Sequence, residues 1–203
     1  MPAGPGAALL ERATSYTLGS LHLVTADSLG WPTPCRGWDV RALLDHLADS
    51  LLALYEAVDG GQVALAGNEA GHDGSDAGRW AADPVGAVRD AASRLLGAWS
   101  APDGPLLVSV GGCPVTTMVV AGTGAVEIAL HGWDLARACG GRRPIPESLA
   151  EELLALAPLL VTAADRPARF AQPIAVPPLA DAGERLVGFL GRPPDWSSAS
   201  ALR

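Results

Sequence analysis

The chain has 203 residues, 49% of them hydrophobic and 18% charged, with a formal net charge of −8. That balance excludes general disorder and leaves enough apolar material for a sizeable core. The acidity, with no basic cluster larger than Arg142-Arg143, argues against a nucleic-acid-binding surface. No apolar run reaches the ~20 residues that span a bilayer, and the first residues lack the basic and apolar stretches of a secretory signal. Cys35, Cys113 and Cys139 are odd in number and widely spaced, which fits reduced thiols better than a disulfide framework. The expectation is a cytoplasmic protein with neither membrane nor nucleic-acid partners.

Residues 7–27 read as a first helix, because Leu10, Thr14, Thr17, Leu21 and Val24 recur at spacings of three and four. His22 falls on another face and reads as a surface residue. Trp31-Pro32-Thr33-Pro34-Cys35-Arg36-Gly37-Trp38, with two prolines and a glycine, reads as a fixed, extended connector. Asp39 is placed to cap a second helix from Val40 to about Val58, with a core stripe of Val40, Leu43, Leu44, Leu47, Leu51, Leu54 and Val58. His46 lies at the border of that stripe near mid-helix and can face inward, whereas Asp45 and Asp49 fall on the more polar flank.

Residues 59–82 are rich in Gly, Asp and Ala and read as a long loop of the kind that serves as a lid or binding loop. A short helical turn is expected at Val63 to Leu65, and His72 reads as solvated. Asp83-Pro84 opens a third helix to about Trp99, with Val88, Ala91, Ala92, Leu95 and Trp99 as its stripe. Leu106 to Val110 reads as a short strand. The fourth helix runs from about Thr116 to Ala138 and ends at Gly140-Gly141. Pro146 to Ala164 reads as a further helix kinked near Pro158, 170–178 as extended, and Asp181 to Leu190 as a short last helix.

The chemistry is concentrated in Glu127-Ile128-Ala129-Leu130-His131-Gly132-Trp133-Asp134. Four residues apart on a helix, Glu127 and His131 share one face, about 6 Å apart at Cβ. Val126, Ile128, Ala129, Leu130 and Trp133 are apolar on both sides of that pair, and a helix apolar nearly all round lies inside a protein. An interior carboxylate needs a counter-charge or a metal. Four helices of comparable length predict an all-α, antiparallel four-helix bundle over residues 1–140. Residues 141–203 would form a helical extension packed on it, one domain overall.

In such a bundle the middles of neighbouring helices face each other, bringing His46 to Glu127 and His131. Two imidazoles and one carboxylate with an open position are the ligand set of catalytic zinc and of non-haem Fe(II). The same Glu–His spacing also fits an ordinary solvated pair. Asp134 could accept a hydrogen bond from a ligand imidazole or pair with Arg137. Trp38 and Trp133 could line the pocket or belong to the core. Arg41 could meet a carboxylate of a cofactor or substrate, or remain solvated. Cys35 precedes the helix cap and would sit roughly 10 Å along the axis from His46, so it reads as a connector residue outside the metal site.

The segment Trp31 to Arg41, followed by Leu43-Leu44-Asp45-His46-Leu47, resembles the N-terminal signature of the mycothiol-dependent maleylpyruvate isomerase metal-binding domain. Glu127 through Ala136 resembles the same domain, a member of the DinB/YfiT-like superfamily of four-helix bundles. The closing segment from Val176 to Trp196, with Arg185-Leu186 and Phe189-Leu190-Gly191-Arg192-Pro193, is similar to the tail of an actinobacterial stand-alone subgroup. The resemblance implies one divalent metal, typically zinc, on His46, Glu127 and His131, and a low-molecular-weight thiol cofactor, mycothiol in actinobacteria. It implies that the metal holds the thiol as thiolate, which attacks an electrophilic small molecule in an S-transfer or a cis–trans isomerisation. A metal-dependent hydrolase using activated water, or a non-catalytic protein binding metal or a small molecule in the same pocket, are the alternatives. The expected form is a monomer or homodimer. Maleylpyruvate isomerases carry a further C-terminal α/β domain, whereas about sixty residues follow the fourth helix here and read as two helices and a Pro-rich link. The substrate is therefore left open.

Overall fold

Leucine and alanine at helical spacing build this molecule, and the turns between helices are set by capping side chains. The computed structural model describes residues 5–63, 82–100, 105–166 and 169–198. Helix α1 (Pro5–Ser20) is shorter than the apolar spacing predicts, and two 3-10 turns, Leu21–Leu23 and Ala26–Gly30, follow it. The reason is local: the Ser28 hydroxyl accepts from the Thr25 N–H at 2.9 Å and donates to the Thr25 carbonyl at 2.9 Å. Such bonds compete with continuation of a helix.

Helix α2 (Val40–Asp59) begins at Asp39, whose carboxylate accepts from the Ala42 N–H at 2.8 Å. Its buried face carries Leu43, Leu44, Leu47, Leu51 and Leu54, but also Ala48, Ala57 and Asp45. The expectation that Asp45 lies on the polar flank is therefore wrong. Helix α2 packs against α3 (Pro84–Trp99), α4 (Thr117–Ala138) and the preceding 3-10 turn, so its buried band is wider than one stripe. Asp49, by contrast, is exposed.

The expected helical turn at Val63 is instead a short strand, β1 (Gln62–Val63). It pairs in parallel with β2 (Leu107–Val110), which pairs in antiparallel fashion with β3 (Cys113–Thr116) through a Gly111-Gly112 turn. β3 escapes sequence reading because Pro114 argues against a strand, yet at the sheet edge its missing N–H costs no ladder bond. The rest of the long loop, with Leu65 and His72, lies outside the described residues.

Helix α4 is the most enclosed element, buried at nearly every position from Ala121 to Ala138. It packs on α1 and α2, completing the four-helix bundle that the sequence predicts. Close approach to α1 depends on Gly132: a Cβ there would lie 2.3 Å from Thr17 Oγ1. Thr17 meanwhile donates to the Ile128 carbonyl at 2.7 Å. Helix α5 (Glu147–Leu160) retains Pro158 within its last turn and packs on α4 and α1. It ends before the expected Ala164, because Thr162 and Asp165 open a separate 3-10 turn, with the Thr162 N–H donating to the Asp165 carboxylate at 2.8 Å. Helix α6 (Ala182–Phe189), capped by Asp181, packs on α5. Among the described residues no helix is long and apolar enough to cross a membrane.

Candidate metal centre

Two adjacent helices supply the chemistry. His46 stands near the middle of α2, and Glu127 and His131 stand one turn apart on α4. One donor atom from each of the three lies within 4.8 Å of the others. His46 Nε2 is 2.8 Å from Glu127 Oε1. The Ser50 hydroxyl, one turn beyond His46, donates to the same Oε1 at 3.0 Å. The rings of His46 and His131 meet edge-on with centroids 5.0 Å apart. Trp38 covers both, 4.6 Å from the His46 ring and 5.9 Å from that of His131.

Burial divides the group. The His131 side chain is 8% exposed, whereas His46 and Glu127 keep 29% and 32% of their side-chain surface open. The expectation that both α4 residues point into a sealed interior is thus half corrected. Val119 and Thr123 precede Glu127 on the exposed edge of α4, and that edge closes only at His131. The centre is open on one side, as a site that receives a reactant must be.

Beneath His131 lies a second layer. Its Nδ1 is 3.1 Å from Asp134 Oδ2. Asp134 is fully buried and is gripped by Arg192, whose Nε lies 3.2 Å from Oδ1 and whose Nη2 lies 3.1 Å from Oδ2. Asp134 therefore adopts the orienting position, not the Arg137 pairing. Arg137 donates to the carbonyls of Pro194 and Trp196 and sits 5.6 Å from the Trp133 ring centre.

Charge follows from these contacts. Burial pushes the Glu127 carboxyl up, but the hydrogen bond and charge of His46, then the charge of His131 and the Ser50 hydroxyl, outweigh it and hold the carboxyl at about 2. Burial lowers His131, and the hydrogen bond and charge of Asp134 recover only part of that loss. Burial would raise Asp134, yet the charge of Arg192 and the bond from His131 hold it below the usual carboxylate value. At neutral pH, then, Glu127 and Asp134 are anionic and His131 is neutral. Asp134 can only accept, so the proton of His131 sits on Nδ1 and Nε2 keeps its lone pair. Ligand atoms around tetrahedral zinc stand about 3.4 Å apart, given bonds of about 2.0–2.2 Å. The donor separations here, 2.8 Å for one pair and within 4.8 Å for all, span that value. The residues fit a divalent cation.

Cys35 corrects another expectation. The connector folds back on itself, with the Thr33 N–H donating to the Trp38 carbonyl at 3.1 Å and Pro32 bridged to Asp39. Cys35 is thereby carried to α4 instead of along the α2 axis, and its sulfur joins donor atoms of His131 and Asp134 within 4.8 Å. It stays outside the His46, Glu127 and His131 group. A cation among Cys35, His131 and Asp134 would face the buried Arg192 guanidinium, and burial pushes the thiol up to about 11 despite that charge. The open triad is the cluster suited to a metal.

Of the remaining expected residues, Trp38 lines the site, Trp133 is buried in the core, and Arg41 is half-buried in the first turn of α2. Two contributors were not singled out from sequence. Ser50 follows His46 by one helical turn, so its spacing offered a signal. Arg192 comes from 58 residues beyond Asp134, and only the tail pattern around it hinted at a role.

Comparison with known proteins places the chain in a family. The uncharacterized proteins MT0763 and Rv0738, from two strains of Mycobacterium tuberculosis, are each 30% identical over 197 residues, spanning 90% of this chain and 94% of their own. No solved structure matches the chain. The family model for the mycothiol maleylpyruvate isomerase N-terminal domain matches residues 10–136, from α1 to the last turns of α4. With the helical bundle and a match of this extent, the chain belongs to the mycothiol maleylpyruvate isomerase N-terminal domain family.

Proposed function

We propose that this protein is a divalent-metal enzyme, zinc being the cation its donor set suits, that uses a low-molecular-weight thiol such as mycothiol to attack an electrophilic small molecule. The observation that carries the reading is the division within the triad: His46 and Glu127 face an opening while His131 is fixed from behind by Asp134. Family membership supports the thiol. When bound, the metal would lower the pKa of a coordinated thiol and favour the nucleophilic thiolate.

The chain's own residues supply the rest. Glu127 contributes the negative charge, its Oε1 positioned by Ser50. His131 offers Nε2 because Nδ1 is committed to Asp134. Trp38 packs over both imidazoles and excludes water from that side. Transfer or isomerisation through thiolate addition is the reaction class this reading assigns, in the cytoplasm, where low-molecular-weight thiols are kept reduced. Three free cysteines accord with that compartment.

The test is elemental analysis of wild type beside His46→Ala and His131→Ala, paired with consumption of mycothiol in the presence of a generic electrophile. The expected result is a metal equivalent in wild type that both variants lose, with thiol consumption lost in parallel. Metal surviving both substitutions would overturn the reading. Turnover of esters or amides without thiol would reassign the reaction to hydrolysis at the same centre.

A further inference from the structure

The matched family region ends at residue 136, before the tail that reaches back to the centre. Asp134 has no exposed surface, and a carboxylate so placed needs a counter-charge or a full set of hydrogen bonds. Arg192, itself 5% exposed, supplies the counter-charge and, together with His131, the hydrogen bonds. Its Nε and Nη2 grip the carboxylate from the side, and Nη1 lies 3.4 Å from the Leu190 carbonyl. A planar fork of this kind fixes direction as well as charge.

The backbone delivering the fork is equally constrained. Gly191 adopts φ +80°, and a Cβ there would meet Ala171 at 2.7 Å. The Arg192 N–H then donates to the Val187 carbonyl at 2.8 Å, closing the end of α6. Two residues further on, the Pro194 carbonyl accepts from Arg137 at 3.1 Å. The tail is therefore held on the last turns of α4 by two arginines pointing in opposite directions, one from each segment.

This matters for His131 because an imidazole has two tautomers. With hydrogen on Nδ1, the ring bonds Asp134 and leaves Nε2 free for a cation. With hydrogen on Nε2, it would donate toward the other members of the triad and offer a cation no lone pair there. Only an Asp134 turned so that Oδ2 faces Nδ1 selects the first form. We propose that Arg192 is a positioning residue of the metal centre: its fork on Asp134 sets the tautomer and direction of His131, so the C-terminal segment completes a site whose ligands all lie in the bundle. The proposal rests on the metal-site reading, yet its first consequence is visible without metal.

The experiment uses the full chain, stripped of metal, with 15N-labelled histidine. Three proteins are compared: wild type, Arg192→Lys, and the double variant Asp134→Asn with Arg192→Leu, which removes both buried charges and so avoids an unpaired one. Histidine 15N shifts report the tautomer, and zinc affinity is read by competition with a chromophoric chelator. Wild type should show His131 as a single Nδ1–H tautomer. Both variants, folded by circular dichroism, should show mixed tautomers and bind zinc about 10- to 100-fold more weakly. An unchanged tautomer in both variants would overturn the proposal, as would zinc affinity equal to wild type. Should wild type bind no zinc, the metal reading fails, while the 15N comparison still decides whether Arg192 governs His131.

Discussion

The two faces of the centre are built on opposite principles. On the open face, His46 and Glu127 touch each other and Ser50, about a third exposed, with room to rearrange. On the closed face, His131, Asp134 and Arg192 form a buried chain in which each charge has its counterpart. The difference teaches that the fold invests its rigidity behind His131 and leaves His46 and Glu127 the more open pair.

The contrast can be broken most completely from the ligands themselves. Glu127→Gln or His131→Ala should abolish stoichiometric metal binding, a larger loss than the about 10- to 100-fold expected when an orienting group is removed. Equilibrium dialysis would check it. Next in size, Asp134→Ala leaves Arg192 charged, buried and unpaired, and should cost about 3–5 kcal/mol of stability in urea unfolding. His46→Ala, on the open face, leaves no buried ion and should cost much less in the same titration.

A pH titration sharpens the comparison. Glu127 is held at about 2 against an ordinary 4.5, so its stabilising contribution is complete above about pH 4.5 and is lost as pH falls toward 2. His131, lowered by burial, adds a loss of the same sign as the pH drops, because the unfolded chain takes up its proton first. Unfolding of metal-free protein should therefore become easier on acidification, and Glu127→Gln should flatten the part of that curve below pH 4.5. The smallest effect belongs to Ser50→Ala, which removes one hydrogen bond from a partly exposed carboxylate. It should weaken metal binding by about tenfold, at the low end of the about 1.5–3 kcal/mol of a hydrogen bond to a charged group because the carboxylate is partly exposed.

Much of this architecture can be read from residue order alone, and the exceptions have physical causes. The approach of His46 to Glu127 is legible because both sit mid-helix on apolar stripes, and a bundle apposes such positions. Periodicity says nothing about how deep each donor lies, so the opening beside Glu127 appears only once neighbouring helices are packed. Asp45 escapes a single-stripe reading because α3, α4, a 3-10 turn, β1 and β2 all pack on α2. Cys35 was misplaced because distance along a helix axis ignores a connector that doubles back. Arg192 was missed as a site residue because an ion pair across 58 residues leaves no local spacing to detect.

The pairing of Asp134 with Arg192 also has a consequence for biosynthesis. At about 5–20 residues per second, the ribosome releases residue 192 about 3–12 s after residue 134. Until then the nascent bundle carries the Asp134 anion near the end of α4 without the Arg192 fork that grips it in the folded chain. A stretch translated well after that helix is thus the one that lets its C-terminal turns close.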